Sequence, residues 1–228
     1  YPFENTIKKK STESKCIENI DIGGPSLIRG AAKNFKSVVV VTSPSQYGAL
    51  IEEANKNDNY ISFDLRKKFA TEAFKHTAYY DAVIASWFDK NNKIYQSTKT
   101  TIPLKKITNL RYGENPHQKA AIFFLGNDKI QKVSGKDLSY NNINDLEIAF
   151  ELANNFKKNS CVIVKHGNPC GVALDNNQVN AYKKALKCDP ISAFGGIVAF
   201  NKKLDEQTAT EILKIFTEVV IAPDFSSN

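Results

Sequence analysis

The sequence predicts a layered α/β protein, and three observations indicate this class. In the second half of the chain, short apolar runs alternate with segments of helical periodicity. The apolar content of 42% in 228 residues is enough to build a substantial core. No apolar stretch approaches the roughly 18 residues that a membrane-spanning helix needs. We therefore expect a protein without membrane spans whose strands pair at least partly in parallel.

The first half of the chain predicts helices around one strand. The segment "DIGGPSLIRGAAKNF" indicates a glycine turn and a short helix with Pro25 at its first position. It is followed by a buried strand at "SVVVV" and a second helix at "QYGALIEEANKN". Ser62 is suited to cap one long helix, or two abutting ones, extending to Phe88. Residues 89–109 lose apolar periodicity and gain Asn, Lys, Ser and Thr, which predicts a linker.

The second half predicts alternating strands and helices. Strands are expected at "AAIFFL", "CVIVK", "GGIVAF" and "VVIA". Helices are expected at "INDLEIAFELANNF", "QVNAYKKALK" and "DEQTATEILKIF". This alternation is typical of a sheet covered by helices.

The charge of the chain favours small anionic ligands over nucleic acid. The net charge of +7 comes almost wholly from lysines spread along the sequence, without a basic cluster interleaved with aromatic residues. A basic nucleic-acid-binding module stays open as an alternative because the isoelectric point is about 9.1. We expect a modest attraction for anionic small molecules and no nucleic-acid partner.

No targeting signal or metal motif is evident. The opening residues "YPFENTIKKK" lack an apolar core followed by a small-residue cleavage site, so we expect a cytoplasmic protein. The four cysteines form no C-x-x-C pair and the three histidines do not fall at metal-ligand spacing around them, so neither structural zinc nor a disulfide framework is expected. The chain contains no methionine and begins at Tyr1, from which we expect an internal segment of a longer protein.

Lys165 and His166 stand side by side where the apolar run "CVIVK" ends at a Gly-Asn-Pro turn. Neighbouring strand residues point to opposite faces, so the two side chains converge on one ligand only if the turn has already begun, which Gly167 permits. A histidine can accept a proton near neutral pH, and an adjacent ammonium can stabilise oxyanion charge. A solvated strand-end pair and a Schiff-base enzyme using Lys165 are alternatives.

A second candidate segment is "LRYGENPHQKA". Gly113 and an Asn-Pro pair force a turn, so Arg111, Tyr112 and His117 are presented from irregular backbone. Arg111 can bind a phosphate or carboxylate bidentately, and Tyr112 can stack on a heterocycle. A salt-bridged arginine beside a half-buried tyrosine would account for the same residues.

Two glycine-containing segments complete the candidates. In "IDIGGPSLIRGAAKN", Asp21 precedes a Gly-Gly turn and a helix whose free amides could bind an anion. Arg29 and Lys33 lie four residues apart on one face of that helix, which is also typical of a solvated stripe. In "DPISAFGGIVAF", two glycines precede a strand, where a ligand or a β-bulge would use them.

Five segments, taken in order, resemble one known family: "IDIGGPSLIRGAAKN", "FKHTAYYDAVIASWF", "LRYGENPHQKAA", "KHGNPCGVA" and "DPISAFGGIVAFN". This family is that of the bifunctional purine-biosynthesis enzymes, which combine 5-aminoimidazole-4-carboxamide ribonucleotide (AICAR) formyltransferase with IMP cyclohydrolase. The resemblance implies that residues 1–105 form the C-terminal part of a methylglyoxal-synthase-like α/β cyclohydrolase domain plus a linker. It implies that residues 106–228 form the N-terminal part of a layered, cytidine-deaminase-like α/β formyltransferase domain.

The resemblance also implies roles for individual residues. It assigns Lys165 and His166 to a catalytic pair, in which His166 takes a proton from the AICAR 5-amino group. Lys165 would stabilise the oxyanion or help to protonate the departing folate nitrogen. Tyr1, Asp21 and Lys33 fall on cyclohydrolase positions, with oxyanion support for Tyr1 and proton transfer or orientation for the other two. The implied substrate-binding residues are Arg111, Tyr112, Asn142, Phe194, Gly195 and Glu218.

The same resemblance implies the ligands and partners. AICAR and formyl-AICAR are the expected substrates, and 10-formyltetrahydrofolate is the expected co-substrate. Neither reaction is expected to require a metal. Family membership further implies a homodimer, without nucleic-acid or membrane partners.

Overall fold

The computed structural model describes residues 1–92, 98–125 and 130–226. Its helices and strands confirm the mixed α/β class. The chain divides into two compact units. Unit 1 comprises Tyr1–Lys105 and Phe123–Lys129, and unit 2 comprises Lys106–Ile122 and Ile130–Asn228. Residues 93–97, 126–129, 227 and 228 within these bounds lie outside the described part of the chain.

Unit 1 is mainly helical. Its helices are α1 (Phe3–Lys8), α2 (Glu13–Glu18), α3 (Gly23–Lys33), α4 (Tyr47–Lys56) and α5 (Phe63–Asn92), with a 3-10 turn at Pro44–Gln46. The predicted helix after the glycine turn is confirmed as α3, but Pro25 is its third residue, where the first turn still tolerates a missing amide. Ser62 caps α5 as predicted, accepting a hydrogen bond from the Leu65 amide at 3.2 Å. The long segment is therefore one helix.

The predicted strand at "SVVVV" is wrong, and so is the helix–strand–helix order that depended on it. Residues 38–42 belong to no helix or strand. Val40 is nevertheless buried against small residues of α3 and α5, among them Ala32, Ala70 and Ala73. A strand needs a hydrogen-bonded neighbour as well as apolar side chains. Among the described residues, no strand pairs with this segment.

The predicted linker at 89–109 is also wrong at both ends. Helix α5 continues to Asn92, and strand β1 (Leu104–Asn109) occupies the end of the segment. Residues 93–97 of this prediction lie outside the described residues. Strand β1 pairs with β2 (Ala121–Leu125), which confirms the predicted strand at "AAIFFL".

Unit 2 contains a four-stranded mixed sheet. Its strands are β3 (Asn159–Lys165), β4 (Asn168–Asp175), β5 (Ile197–Phe200) and β6 (Val219–Ile221), in the order β4-β3-β5-β6. Strand β3 pairs antiparallel with β4 and β5, while β5 pairs parallel with β6, which confirms the partly parallel pairing. The helices are α6 (Tyr140–Asn154), α7 (Gln178–Cys188), α8 (Pro190–Ala193) and α9 (Glu206–Ile212).

The central strands are buried on both faces, which explains their continuous apolar runs. On one face, Cys161 and Ile163 of β3 pack with Tyr182 and Ala185 of α7. On the other face, alternate residues of β3 and β5 pack against α6. Lys165 is the last residue of the central strand β3, so it lies at the end of the sheet where this strand stops.

Strand β4 was not predicted, because its sequence begins with a turn signal and a proline. Pro169 is tolerated since β4 is an edge strand of the sheet. The register of the β3–β4 pairing shifts between Ile163, which pairs with Gly171, and Val164, which pairs with Pro169. Cys170 is therefore the extra residue of a β-bulge.

A buried hydroxyl in α9 provides a stability test. Thr208 is 0% exposed, and its Oγ1 has no hydrogen-bond partner among the described residues. A buried hydroxyl without a partner carries an uncompensated desolvation cost. We expect Thr208→Val to raise the free energy of unfolding by about 1 kcal/mol, measured by urea denaturation.

The matched control is Thr210→Val on the same helix. Thr210 is exposed, and its hydroxyl donates to the Glu206 carbonyl at 2.9 Å. Its replacement is expected to change stability by no more than about 0.5 kcal/mol. A destabilised Thr208→Val variant beside an unchanged control would show that the hydroxyl is needed where it lies.

Candidate functional site

Lys165 and His166 lie at the tip of the β3–β4 hairpin. Lys165 pairs with Asn168, so the loop consists of His166 and Gly167 alone. Both loop residues have positive φ, 53° and 74° respectively, as in the type I′ turn of two-residue hairpins. Glycine adopts this conformation freely, but a residue with a Cβ atom loses roughly 1–2 kcal/mol there. Turn propensity alone therefore does not explain a histidine at this position.

The hairpin tip is held by a carboxylate that the sequence analysis did not identify. Asp145 of α6 accepts a hydrogen bond from the His166 amide at 3.1 Å through Oδ2 and from the Gly167 amide at 2.6 Å through Oδ1. The His166 side chain is exposed, and its imidazole makes no hydrogen bond within the described part of the chain. The backbone of the tip is thus fixed while the imidazole is available to a ligand.

Lys165 is held from the other side of the turn. Its side chain is half-buried, and its Nζ donates to the Phe194 carbonyl at 2.6 Å. Phe194 directly follows α8, whose first turn is capped by Asp189 through the Ser192 amide at 3.0 Å. The Ser192 hydroxyl and amide hold the pKa of Asp189 below its usual range, so this cap is charged at neutral pH. The Lys165 ammonium keeps further protons for a ligand.

Two more predicted residues lie next to this contact. The Gly195 amide donates to the Phe216 carbonyl at 2.8 Å, and Gly195 has a φ of 70°, which favours glycine. The Glu218 amide donates to the Gly196 carbonyl at 3.1 Å, and its side chain is exposed. The end of the sheet that carries Lys165 therefore also carries Phe194, Gly195 and Glu218.

Arg111 and Tyr112 form a loop joined to the start of α6. The Arg111 amide donates to the Leu138 carbonyl at 2.9 Å, and the Tyr140 amide donates to the Tyr112 carbonyl at 3.1 Å. The guanidinium lies over its neighbour's ring, with Cζ 4.9 Å from the centroid of Tyr112. Arg111 forms no ion pair with a described carboxylate, so the salt-bridged alternative is not observed in this part of the chain. The exposed Arg111 guanidinium is therefore stacked on the Tyr112 ring and available to a ligand.

Asn142 lies in the capping box of α6. It is 6% exposed, and its Oδ1 accepts hydrogen bonds from the Ser139 amide at 2.9 Å and the Ser139 hydroxyl at 3.0 Å. In this arrangement its side-chain oxygen serves the helix cap. Its position adjoins the Arg111–Tyr112 loop, since the neighbouring Asn141 side chain donates to the Glu114 carbonyl at 3.2 Å.

In unit 1, Tyr1 and Asp21 are brought together but Lys33 is not. Asp21 accepts from the Gly24 amide at 2.8 Å, which lowers its pKa, and the backbone nitrogen of Tyr1 lies 3.2 Å from its Oδ2. Its own amide donates to the Tyr80 hydroxyl at 2.8 Å. Lys33 is the last residue of α3 and Asp21 precedes this helix, which has 11 residues and is about 16 Å long at roughly 1.5 Å per residue. The Asp21–Lys33 pair is not formed.

Within residues 1–92, 98–125 and 130–226, no group of three His, Cys, Asp or Glu residues could hold a metal ion. Cys16, Cys161, Cys170 and Cys188 are all free thiols. Among the described helices, none combines the length and the apolar character needed to cross a membrane.

Comparison with known proteins gives a consistent match. A family model described as "AICARFT/IMPCHase bienzyme" matches residues 31–228. A curated relative from Bradyrhizobium diazoefficiens, "Bifunctional purine biosynthesis protein PurH", is 50% identical over 235 residues, covering 99% of this chain and 44% of that protein. Proteins of the same name from Caldicellulosiruptor saccharolyticus and Persephonella marina are 47% and 45% identical, each covering 100% of this chain and 46% of the relative. The chain thus spans under half the length of these relatives.

Proposed function

Because this chain belongs to the AICARFT/IMPCHase bienzyme family, we propose that it contributes to both reactions which that family name describes. The first is formyl transfer from 10-formyltetrahydrofolate to the 5-amino group of AICAR. The second is the dehydrative ring closure of formyl-AICAR to IMP. Both belong to purine biosynthesis, the process that the names of the relatives state.

We further propose the domain identities that this function implies. Residues 1–105 form the C-terminal part of a methylglyoxal-synthase-like cyclohydrolase domain, and residues 106–228 form the N-terminal part of a cytidine-deaminase-like formyltransferase domain. The whole enzyme acts in the cytoplasm as a homodimer without a metal. The alternating strands and helices of unit 2 are compatible with the second of these folds.

The observation that carries the formyltransferase proposal is the hairpin tip. A histidine occupies a left-handed turn position that favours Gly or Asn, and its imidazole is exposed beside a fixed lysine. Unfavourable backbone conformations of this kind cluster at functional sites, where surrounding contacts maintain them. Here those contacts come from Asp145.

The chemistry of formyl transfer suits these groups. The AICAR amine is conjugated into an electron-poor ring, so it is a weak nucleophile and gains from a general base. In the proposed step its nitrogen forms a bond to the formyl carbon while the His166 imidazole accepts the amine proton. Negative charge then develops on the formyl oxygen, near the Lys165 ammonium. The bond to the folate nitrogen finally breaks, and that nitrogen takes up a proton from Lys165 or His166.

The remaining predicted residues would bind the nucleotide. Arg111 offers a guanidinium for the phosphate and Tyr112 a ring surface, since both are presented from an irregular loop. Phe194 and Gly195 would lie against the nucleotide through the backbone stretch that holds Lys165, with Glu218 beside them. Asn142 would contact the substrate from the first turn of α6, where its side-chain oxygen also accepts the Ser139 amide of the helix cap.

For ring closure, the carboxamide nitrogen attacks the formyl carbon and water is then lost. A lowered pKa keeps Asp21 charged, which suits orientation of the substrate better than uptake of a proton. Tyr1 would support the oxyanion. Lys33 would act separately from Asp21, because helix α3 lies between them.

Replacement of Lys165 tests the proposal directly. In the protein extended to the full length of its relatives, Lys165→Ala is expected to lower kcat for formyl transfer about 10²–10³-fold, the range for loss of one oxyanion-stabilising group. Cyclisation of preformed formyl-AICAR should stay within about two-fold in the same preparation. Lys158→Ala, an exposed lysine just before the opposite end of β3, is the control.

Unchanged formyl transfer in Lys165→Ala would refute this role. A borohydride-trapped adduct of Lys165 with a carbonyl substrate would instead support the Schiff-base alternative.

A further inference from the structure

Asp145 makes a contact that its position in the sequence does not suggest. It lies in the second turn of α6, 21 residues before His166, and its two carboxylate oxygens each accept one amide of the hairpin loop. The Gly167 contact, at 2.6 Å, is among the shorter hydrogen bonds of this hairpin. Both backbone amides of the two-residue loop thus donate to the Asp145 side chain.

We infer that Asp145 is a positioning residue for formyl transfer: it fixes the backbone of His166 and Gly167 so that the imidazole meets the substrate. This inference rests on the proposed function of His166. Asp145 is not itself a catalytic residue, because its oxygens are occupied by the two amides and its action passes through the turn.

The chemistry of the contact requires a carboxylate. Successive residues of positive φ direct their amides to one side, which forms a small concave anion site. An aspartate fills it with two acceptors and a negative charge. An asparagine of the same size offers one acceptor, and its NH₂ group would face the second amide. Asp145→Asn therefore removes the contact with little change of volume.

The position of Asp145 on α6 gives the contact a second consequence. The same helix holds the nucleotide-binding loop through the Tyr140 amide, which donates to Tyr112, and through Asn141, which donates to Glu114. One rigid helix therefore connects the loop that binds the nucleotide to the turn that carries the base. Loss of the Asp145 contact would release the base while the nucleotide-binding loop stays in place.

The test is Asp145→Asn in the protein of full relative length, assayed for formyl transfer. We expect kcat to fall about 10–100-fold, because a displacement of about 1 Å in a reacting group can cost that much. The KM for AICAR should stay within about two-fold. Hydrogen–deuterium exchange, followed by mass spectrometry of the segment 163–169, should become faster at the hairpin tip.

The matched control is Asp175→Asn. Asp175 also accepts a turn amide, from Asn177 at 2.9 Å, but it lies at the opposite end of the hairpin, where it pairs with Asn159. This variant should retain kcat and KM within about two-fold. The control thus distinguishes the effect of losing any aspartate–amide contact from the effect of losing the Asp145 contact at the hairpin tip.

The outcomes distinguish the inference from the function on which it rests. If Asp145→Asn retains kcat while His166→Ala abolishes formyl transfer, the positioning role is refuted and the proposed function stands. If Asp145→Asn raises the KM for AICAR as much as it lowers kcat, the role is also refuted, since the nucleotide loop would then be disturbed. If His166→Ala itself retains formyl transfer, the proposed function fails.

Discussion

Replacement of His166 by alanine is expected to lower kcat for formyl transfer about 10²–10⁴-fold, the usual contribution of a general base. The physical reason is that the two-residue loop offers only the His166 side chain as a proton acceptor, since Gly167 has none. Lys165 is bound to the Phe194 carbonyl, and both Asp145 oxygens accept loop amides. Alanine keeps the Cβ atom, so the backbone contacts with Asp145 should survive. The measurement is steady-state formyl transfer in the protein of full relative length.

Two companion measurements make this result specific. Cyclisation of preformed formyl-AICAR by the same variant should stay within about two-fold, because the residues proposed for that step belong to unit 1. His76→Ala, which removes an exposed histidine on α5, should leave formyl transfer unchanged. Formyl transfer by His166→Ala at the rate of the unaltered protein would contradict the proposed base.

The second large effect is expected on stability, from Gly171→Ala. A Cβ atom at Gly171 would clash with the backbone oxygen of Ala185, so α7 would have to move away from β4. A helix backbone cannot rotate aside as a side chain can, and the displaced helix carries the core residues Ala181 and Tyr182. We expect the free energy of unfolding to fall by about 3 kcal/mol or more, the upper range for overpacking.

Urea denaturation followed by circular dichroism measures this loss in the 228-residue chain. Gly48→Ala in α4 is the control, because a Cβ there meets nothing within 4 Å. It should stabilise the helix by about 0.5–1 kcal/mol. A Gly171→Ala variant as stable as the control would show that β4 and α7 can separate at little cost.

The elements that were predicted correctly are those whose signal is local. The apolar runs of β3 and β5 are continuous because both faces of these strands are covered, and helical spacing identified α5 and α7. The segment "SVVVV" carries the same local signal but has no strand partner among the described residues. Pairing is a property of distant residues, so composition alone could not separate these cases.

Strand β4 shows the opposite error. Its first residues read as a turn followed by a proline, and a proline is compatible with a strand only at a sheet edge. That position depends on the order of strands in the sheet, which the sequence does not state. The loop pair His166–Gly167 is not one of the Asn-Gly or Asp-Gly pairs that mark a two-residue hairpin, so the turn did not identify β4 either.

The candidate site was predictable only in part. Gly167 indicated that a turn could begin at His166, and the structure has that turn. Asp145 was missed because it binds backbone amides, which have no signature in the sequence. The separation of Asp21 from Lys33, by contrast, could have been predicted, since the helix between them was itself expected and its rise per residue is known.

The two-residue loop of the β3–β4 hairpin also restricts the length of this segment. An added residue can be accommodated in two ways. A longer loop would change the conformation that Asp145 recognises, whereas a shifted register would turn β4 over, because strand side chains alternate between faces. The second outcome would replace Gly171 opposite Ala185 with a neighbour that carries a side chain. Insertions and deletions are therefore excluded from this hairpin more strictly than substitutions on its exposed side.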